Sequence, residues 1–353
     1  MKIIIHIGTF KTGSTALQHH FAKNKDYLWE RNYYYGDYFD AIKAHSNLAY
    51  GLLKEALVEY GLYDKFSSHP RFTNVAENPK DVLGRMFTNA CGRNILISSE
   101  ALYADAYRTL IGLDADPEIR KFDQLINRYI RCTLYQLLSQ YSNDIKVVCY
   151  LRRQDLWIES QYNQVSKAPW HTGNKPVDFI DFVTANPIHL NYEKELLEWG
   201  ELFGNGNIII KGYEEPLLSY GLIRDFYESI LQVSDFELTT DVERKETNAG
   251  LDPLVVEYIK KLDKYDKRII DFFVGMENGT AQQHNRHEGF FDEEERKKFL
   301  KGFEECNKNT ARVFLGREKL FMEEYRNIKK IGEIGYEDFV RITRELLGAI
   351  LDG

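Results

Sequence analysis

Short apolar runs, separated by longer stretches of mixed polarity, dominate the first two-thirds of the chain. Each run is rich in β-branched residues and has the length of a strand that is buried on both faces. The runs are Ile3 to Ile7, Ile95 to Ile97, Val147 to Leu151 and Ile208 to Ile210, with a shorter one at Tyr33 to Tyr35. Helical stretches between such strands predict an α/β fold, in which a central parallel sheet is flanked by helices.

Helical periodicity fills the intervening segments. The clearest example has apolar residues at Phe122, Leu125, Ile126, Tyr129, Ile130, Leu134 and Leu137. A second amphipathic helix is predicted over Asn191 to Trp199, with Gly204 and Gly206 ending it before the next strand, and a third around Leu222 to Ile230.

Strand signals end after about Val242. Helices are predicted at Leu254 to Leu262, around Phe299 and Phe303, and at Thr310 to Leu315. We therefore expect a single domain over 1–353, made of an α/β core (1–242) and a mainly helical C-terminal region (243–353) that packs on it.

Composition and charge narrow the function classes. The net charge of −8 argues against nucleic acid as the main partner, because surfaces that track phosphates are basic. The four cysteines are widely spaced and no metal-binding motif occurs, so we expect no metal. The first predicted strand follows Met1 almost at once and no apolar stretch approaches the ~20 residues of a membrane span, which predicts a cytoplasmic protein.

The most informative segment is the loop Gly8-Thr9-Phe10-Lys11-Thr12-Gly13-Ser14-Thr15, between the first strand and a predicted helix. Backbone N–H groups in such a loop, together with the positive end of a helix dipole, surround a small anion. Gly8 and Gly13 bracket four residues, as in a P-loop. Ser14, however, occupies the position where a nucleotide kinase has lysine, and Lys11 lies inside the loop instead.

A second segment repeats the strand-to-helix pattern. The strand Val147 to Leu151 is followed by Arg152-Arg153, and Ser160 lies eight residues after Arg152 in a predicted helix. Because ligands bind beyond the carboxyl ends of parallel strands, both segments are expected at one edge of the sheet.

Together the two segments resemble the 5′-phosphosulfate loop and the 3′-phosphate element of the sulfotransferases, in particular bacterial, cytoplasmic, carbohydrate-type members. Their donor is 3′-phosphoadenosine 5′-phosphosulfate (PAPS). The resemblance implies that Phe10, Lys11, Thr12, Gly13, Ser14 and Thr15 bind the 5′-phosphosulfate, and that Arg152 and Ser160 bind the 3′-phosphate. Arg153 is the alternative to Arg152, although the spacing to Ser160 favours Arg152. The cluster Glu243 to Asn248 is either a loop that closes over the donor or a plain surface charge cluster.

Two residues are candidates for the general base that accepts the proton of the acceptor hydroxyl. Glu100 follows a predicted strand end, and His45 precedes an apolar helical period. Both have structural alternatives, Glu100 as a cap or ion-pair partner and His45 as a capping or core histidine. We favour Glu100, because a side chain at a strand end projects into the crevice where donor and acceptor meet.

The sequence therefore predicts a PAPS-dependent sulfotransferase that uses Lys11 in catalysis and modifies a hydroxyl, with a surface carbohydrate or glycolipid as the expected acceptor. The acceptor class comes from family analogy alone. Two alternatives remain: a P-loop nucleotide kinase, and a non-catalytic PAPS-binding protein.

Overall fold

The computed structural model describes residues 1–39, 43–103, 121–167, 178–185, 190–213, 221–234, 251–262, 269, 272–273, 288–322, 329–330 and 335–352. The chain divides into two compact units. The first unit comprises Met1–Arg153, Ile188–Glu243 and Glu305–Met322, and the second comprises Gln154–Pro187, Arg244–Glu304 and Glu323–Gly353. Each unit thus contains chain from both sides of residue 242, where the sequence analysis placed a subdivision.

A parallel sheet of five strands forms the centre of the first unit. The strands are β1 (Lys2–His6), β2 (Tyr33–Tyr34), β3 (Asn94–Ser98), β4 (Asp144–Leu151) and β5 (Ile208–Gly212), in the order β2-β3-β1-β4-β5. All four pairings are parallel, and His6 lies opposite both Ser98 and Val148. The predicted α/β fold and the five predicted strands are confirmed.

Thirteen helices are described along the chain. They are α1 (Ser14–Lys23), α2 (Lys25–Glu30), α3 (Ser46–Glu59), α4 (Pro79–Ala90), α5 (Asp123–Ser139), α6 (Gln154–Lys167), α7 (Phe179–Ala185), α8 (Tyr192–Phe203), α9 (Leu222–Asp225), α10 (Pro253–Lys261), α11 (Glu293–Lys301), α12 (Glu304–Leu315) and α13 (Tyr336–Asp352). Single helical turns occur at Tyr63–Lys65, Arg71–Val75, Glu100–Leu102, Asn205–Asn207 and Phe226–Leu231. Gly204 ends α8 at a φ of 85°, as its position in the sequence predicted.

The two faces of the sheet carry separate hydrophobic cores, because successive strand residues point to opposite faces. In β1, Ile3 and Ile5 belong to the core that includes α3, α4, α5 and α8. Ile4 belongs to the opposite core, which Leu17 and Phe21 of α1 help to form. Burial on both faces explains why the strands are uninterrupted apolar runs.

The second unit contains α6, α7, α10, α11 and α13. Within it, Arg296 is 1% exposed and forms ion pairs with Asp155 and Glu159 of α6. It also contains a parallel pair of two-residue strands, β6 (Glu288–Gly289) and β7 (Lys329–Lys330). The sequence predicted no strand after Val242, because two-residue strands have no periodicity to detect.

Candidate functional site

Strand order brings three chain segments to one edge of the sheet in the first unit. Because β1 lies between β3 and β4, the loop after β1 is flanked by the residues that follow those two strands. Glu100 follows β3 and Arg152 follows β4. The connection from β3 to β4 passes over β1, so the strand order changes direction at this point of the sheet. Parallel α/β sheets bind ligands at such switch points, beyond the carboxyl ends of the strands.

The loop after β1 has an unusual backbone. Gly8, Lys11 and Gly13 all have positive φ, at 39°, 68° and 76°. Left-handed residues turn successive N–H groups toward one side and so form a concave anion-binding surface. For a lysine this conformation costs roughly 1–2 kcal/mol, so the surrounding structure must impose it.

Two threonine hydroxyls hold the loop in place. Thr9 Oγ1 donates to the carbonyl of Tyr150 on β4 (3.2 Å), and Thr12 Oγ1 donates to the carbonyl of Thr9 (2.6 Å). Both threonines are buried, at 2% and 0% exposure. The Thr12 hydroxyl, predicted as an anion ligand, therefore already has a partner within the loop, and its backbone N–H is what remains for an anion.

Helix α1 begins directly after the loop, with Gly13 at the N-cap and no side chain of the described residues capping it. Its first N–H groups therefore have no side-chain acceptor, as in anion sites at helix N-termini. Ser14 is 6% exposed, and its Oγ has no hydrogen-bond partner among the described residues. Thr15 is exposed. The site thus combines an uncapped helix start with a buried, unsatisfied hydroxyl.

Two polar side chains pack closely against Gly8. A Cβ on Gly8 would lie 2.8 Å from Ser14 Oγ and 3.2 Å from His6 Nε2. Both the positive φ and this lack of space require glycine.

Lys11 and Arg152 lie side by side. Arg152 Nη1 donates to the Lys11 carbonyl (3.2 Å), and its guanidinium carbon lies 5.5 Å from the centre of the Tyr213 ring. Tyr192 Oη donates to the Arg152 carbonyl (2.6 Å). Arg152 is half-buried, whereas Arg153 is only 6% exposed. The contact with Lys11 and the partial exposure support Arg152, rather than Arg153, as the arginine next to the loop.

Ser160, the other residue predicted at the 3′-phosphate, lies in α6 and belongs to the second unit. Arg152 belongs to the first unit, so the predicted pair is divided between the two units. The 3′-phosphate assignment stays a prediction.

Glu100 begins the helical turn after β3 and is half-buried. Its Oε2 accepts a hydrogen bond from Gln18 Nε2 at 2.7 Å. Gln18 lies on α1 and is 1% exposed. The helix that starts at the anion loop therefore also holds the candidate base.

His45 occupies a different environment, since it is fully buried at the N-cap of α3. The N–H of Ser98 donates to Nδ1 (3.0 Å), and Nε2 lies 2.9 Å from the Gly36 carbonyl. Nδ1 also lies 3.3 Å from the Ser98 carbonyl. The shorter bond, from the Ser98 N–H, gives a neutral ring whose proton lies on Nε2, where it reaches the Gly36 carbonyl. Burial lowers the pKa of His45 to about 4. Because the backbone engages both ring nitrogens, the geometry favours Glu100 as the base.

Buried histidines make the fold sensitive to acid. Burial lowers the pKa of His6, His20 and His45 to about 4, from an ordinary value near 6.5. Between these values the unfolded chain binds protons that the folded chain does not, so stability should fall as the pH drops through this window. Each histidine contributes about 1.4 kcal/mol per pH unit.

We expect the free energy of urea unfolding to decrease steeply from pH 6.5 toward 5. His45→Asn should reduce the slope of that decrease by the contribution of one histidine, about 1.4 kcal/mol per pH unit. A slope that His45→Asn leaves unchanged would contradict this.

The sequence analysis missed Gln18 and His6. One signal for Gln18 was present, because Ser14 and Gln18 are four residues apart and share a face of α1. His6 gave no signal, since a histidine within an apolar strand is ordinarily a core residue.

The cluster Glu243 to Asn248 lies outside the described residues. Within the described ranges, no three His, Cys, Asp or Glu side chains converge as a metal site would require. None of the described helices has the length and apolar character needed to cross a membrane.

Comparison with known proteins gives little further information. The chain is 28% identical over 220 residues to an uncharacterized protein of Archaeoglobus fulgidus. That match covers 59% of this chain and 57% of the archaeal protein. No family model matches the chain, and no solved structure matches it.

Proposed function

We propose that this protein is a sulfotransferase that moves a sulfuryl group from PAPS to an acceptor hydroxyl of a carbohydrate or glycolipid. The observation that carries the proposal is the loop after β1. It combines three left-handed residues, an uncapped helix start and a lysine inside the loop rather than after its second glycine. Such a loop suits a donor in which a phosphate lies next to the bond that breaks during transfer.

The loop residues have distinct roles in this proposal. The first N–H groups of α1 and the hydroxyl of Ser14 bind the 5′-phosphate. As the acceptor oxygen bonds to sulfur, the bond from sulfur to the bridging phosphate oxygen breaks and negative charge builds on that oxygen. Lys11 stabilises this charge, which is greater in the transition state than in the bound donor.

Glu100 completes the chemistry. The acceptor hydroxyl loses its proton to the Glu100 carboxylate, and adenosine 3′,5′-bisphosphate leaves with the former bridging oxygen. Gln18 holds the carboxylate through one oxygen, Oε2. The other oxygen can then accept the proton.

The acceptor class rests on the resemblance. Burial raises the pKa values of Tyr35 and Tyr50. They are only 2% and 7% exposed. They therefore offer no open face on which a sugar ring stacks.

Direct assay tests the proposal and its alternatives. The protein should transfer labelled sulfate from PAPS to a member of a glycan and glycolipid panel without added Mg²⁺. Phosphate transfer from ATP that requires Mg²⁺ would instead favour a nucleotide kinase. Binding of PAPS without transfer to any acceptor in a broad panel would favour a non-catalytic binding protein.

Arg152→Ala should weaken binding of adenosine 3′,5′-bisphosphate much more than Arg153→Ala does. A charge-assisted bidentate contact to a partly buried phosphate contributes about 1.5–3 kcal/mol, so the loss should be at least about tenfold. Titration calorimetry with this nucleotide and with adenosine 5′-phosphate measures both affinities, and Arg153→Ala is the matched control.

The affinity that Arg152→Ala loses for each of the two nucleotides decides whether Arg152 binds the 3′-phosphate. If Arg152→Ala weakens both nucleotides equally, its contact with the Lys11 carbonyl is the relevant one. The assignment of Arg152 to the 3′-phosphate is then wrong.

A further inference from the structure

A chain of buried hydrogen bonds connects the candidate base to the strand that leads into the anion loop. Gln18 Nε2 lies 2.7 Å from Glu100 Oε2 and 3.3 Å from Ser98 Oγ. Ser98 Oγ lies 2.9 Å from His6 Nδ1. Gln18, Ser98 and His6 are all at most 1% exposed, so water does not compete with these bonds.

The Gln18 amide nitrogen only donates, so Glu100 and Ser98 both accept from it. Burial lowers the pKa of His6 to about 4, so the ring is neutral near pH 7 and carries one proton. The Ser98 hydroxyl has one proton and two acceptor positions, so its bond with His6 Nδ1 forms with either tautomer of the ring. Where Ser98 donates to Nδ1, the ring proton lies on Nε2.

The Nε2 atom of His6 has no hydrogen-bond partner among the described residues, and neither has Ser14 Oγ. Both atoms lie close to Gly8, at 3.2 Å and 2.8 Å from the point where a Cβ would stand. With the ring proton on Nε2, one is a buried donor, and the other is a hydroxyl that both donates and accepts. A buried polar group without a partner requires an explanation, which can be strain, a bound water, a ligand or a function.

We propose that Gln18, Ser98 and His6 are positioning residues that prepare both halves of the site. In this arrangement Ser98 donates to His6 Nδ1, and when an anion enters the loop His6 Nε2–H donates to Ser14 Oγ. This occupies an acceptor site of Ser14 and leaves its O–H to donate to the anion. At the other end, the Gln18 amide donates to Glu100 and holds its carboxyl group in place. The inference rests on the proposed function in taking the anion to be the 5′-phosphate of the sulfuryl donor.

A pair of substitutions separates the two nitrogens of His6. His6→Gln places an amide nitrogen near the Nε2 position, whereas His6→Asn reaches only the Nδ1 position and lacks the donor toward Ser14. In titrations with adenosine 3′,5′-bisphosphate we expect His6→Asn to lose about tenfold in affinity, the loss of one hydrogen bond to a charged assembly. His6→Gln should stay within about threefold of the wild type. Equal affinities for wild type and His6→Asn would overturn the proposal.

The proton position is directly measurable in the folded wild-type protein. ¹⁵N NMR of ring-labelled histidine should show His6 as the Nε2–H tautomer, and inorganic phosphate should shift its Nε2 signal. Ser98→Ala should abolish the tautomer preference. Ser99→Ala is the matched control, because Ser99 is equally buried and its Oγ makes no hydrogen bond within the described residues.

A proton on Nδ1, or an Nε2 signal that phosphate does not move, would overturn the proposal even where a variant fails to fold. These measurements require no sulfuryl transfer. A protein with the expected tautomer and phosphate response but no transfer from PAPS would therefore count against the proposed function alone.

Discussion

Lys11→Ala is expected to reduce the rate of sulfuryl transfer by about 10²–10³-fold while the protein stays folded. This is the typical cost of removing one group that stabilises developing negative charge. Lys11 is half-buried in the loop and belongs to neither hydrophobic core. The loss should therefore appear in kcat rather than in the unfolding free energy, as steady-state assays and thermal unfolding would show.

Lys43 provides a matched control for this substitution. It is also a lysine of the first unit with a left-handed backbone, at a φ of 55°, but it lies outside the loop. Lys43→Ala makes the same change in the same backbone conformation. Both variants therefore share any general effect of alanine at a left-handed position. Wild-type turnover in Lys11→Ala would refute the proposed role of the lysine. Equal losses in both variants would show that the effect is not specific to the loop.

Glu100→Gln should lower kcat by roughly 10²–10⁴-fold and leave donor affinity nearly unchanged. The amide keeps the shape of the side chain and still accepts from Gln18, but it cannot take the acceptor proton. Rapid-quench assays with saturating donor would report the chemical step, and titration with adenosine 3′,5′-bisphosphate would report donor affinity.

His45→Asn is the comparison that identifies the base. Because the backbone engages both nitrogens of His45, this variant should lose stability while its folded fraction keeps most of its kcat. If His45→Asn removes activity and Glu100→Gln does not, the base is the histidine.

The two most specific parts of the prediction came from local patterns. The five strands are recognisable because each is a run of apolar residues that must be buried on both faces, whatever its neighbours are. The loop after β1 is recognisable because the need for glycine at tight, left-handed positions is a property of the backbone at that point. Neither inference required knowledge of distant contacts.

Pairings between distant residues lay beyond the reach of the sequence. Arg296 binds Asp155 and Glu159 from more than a hundred residues away, and no spacing rule indicates such a partner. The burial of His45 likewise depends on β3, whose backbone lies 53 positions further along the chain. The sequence offered both His45 and Glu100 as candidates, and only the structure shows that His45 is fully buried while Glu100 is half-buried.

By itself, then, the sequence determined that the protein is built on a parallel α/β sheet and that a glycine-bracketed loop with an internal lysine follows its first strand. Hydrophobic runs and turn residues are short-range features, so they can be recognised from the sequence alone. Only the tertiary structure decided that β1 lies between β3 and β4, which brings Glu100 and Arg152 to that loop. Only the structure joined Gln18, Ser98 and His6, because burial and hydrogen-bond direction depend on which distant segments pack together.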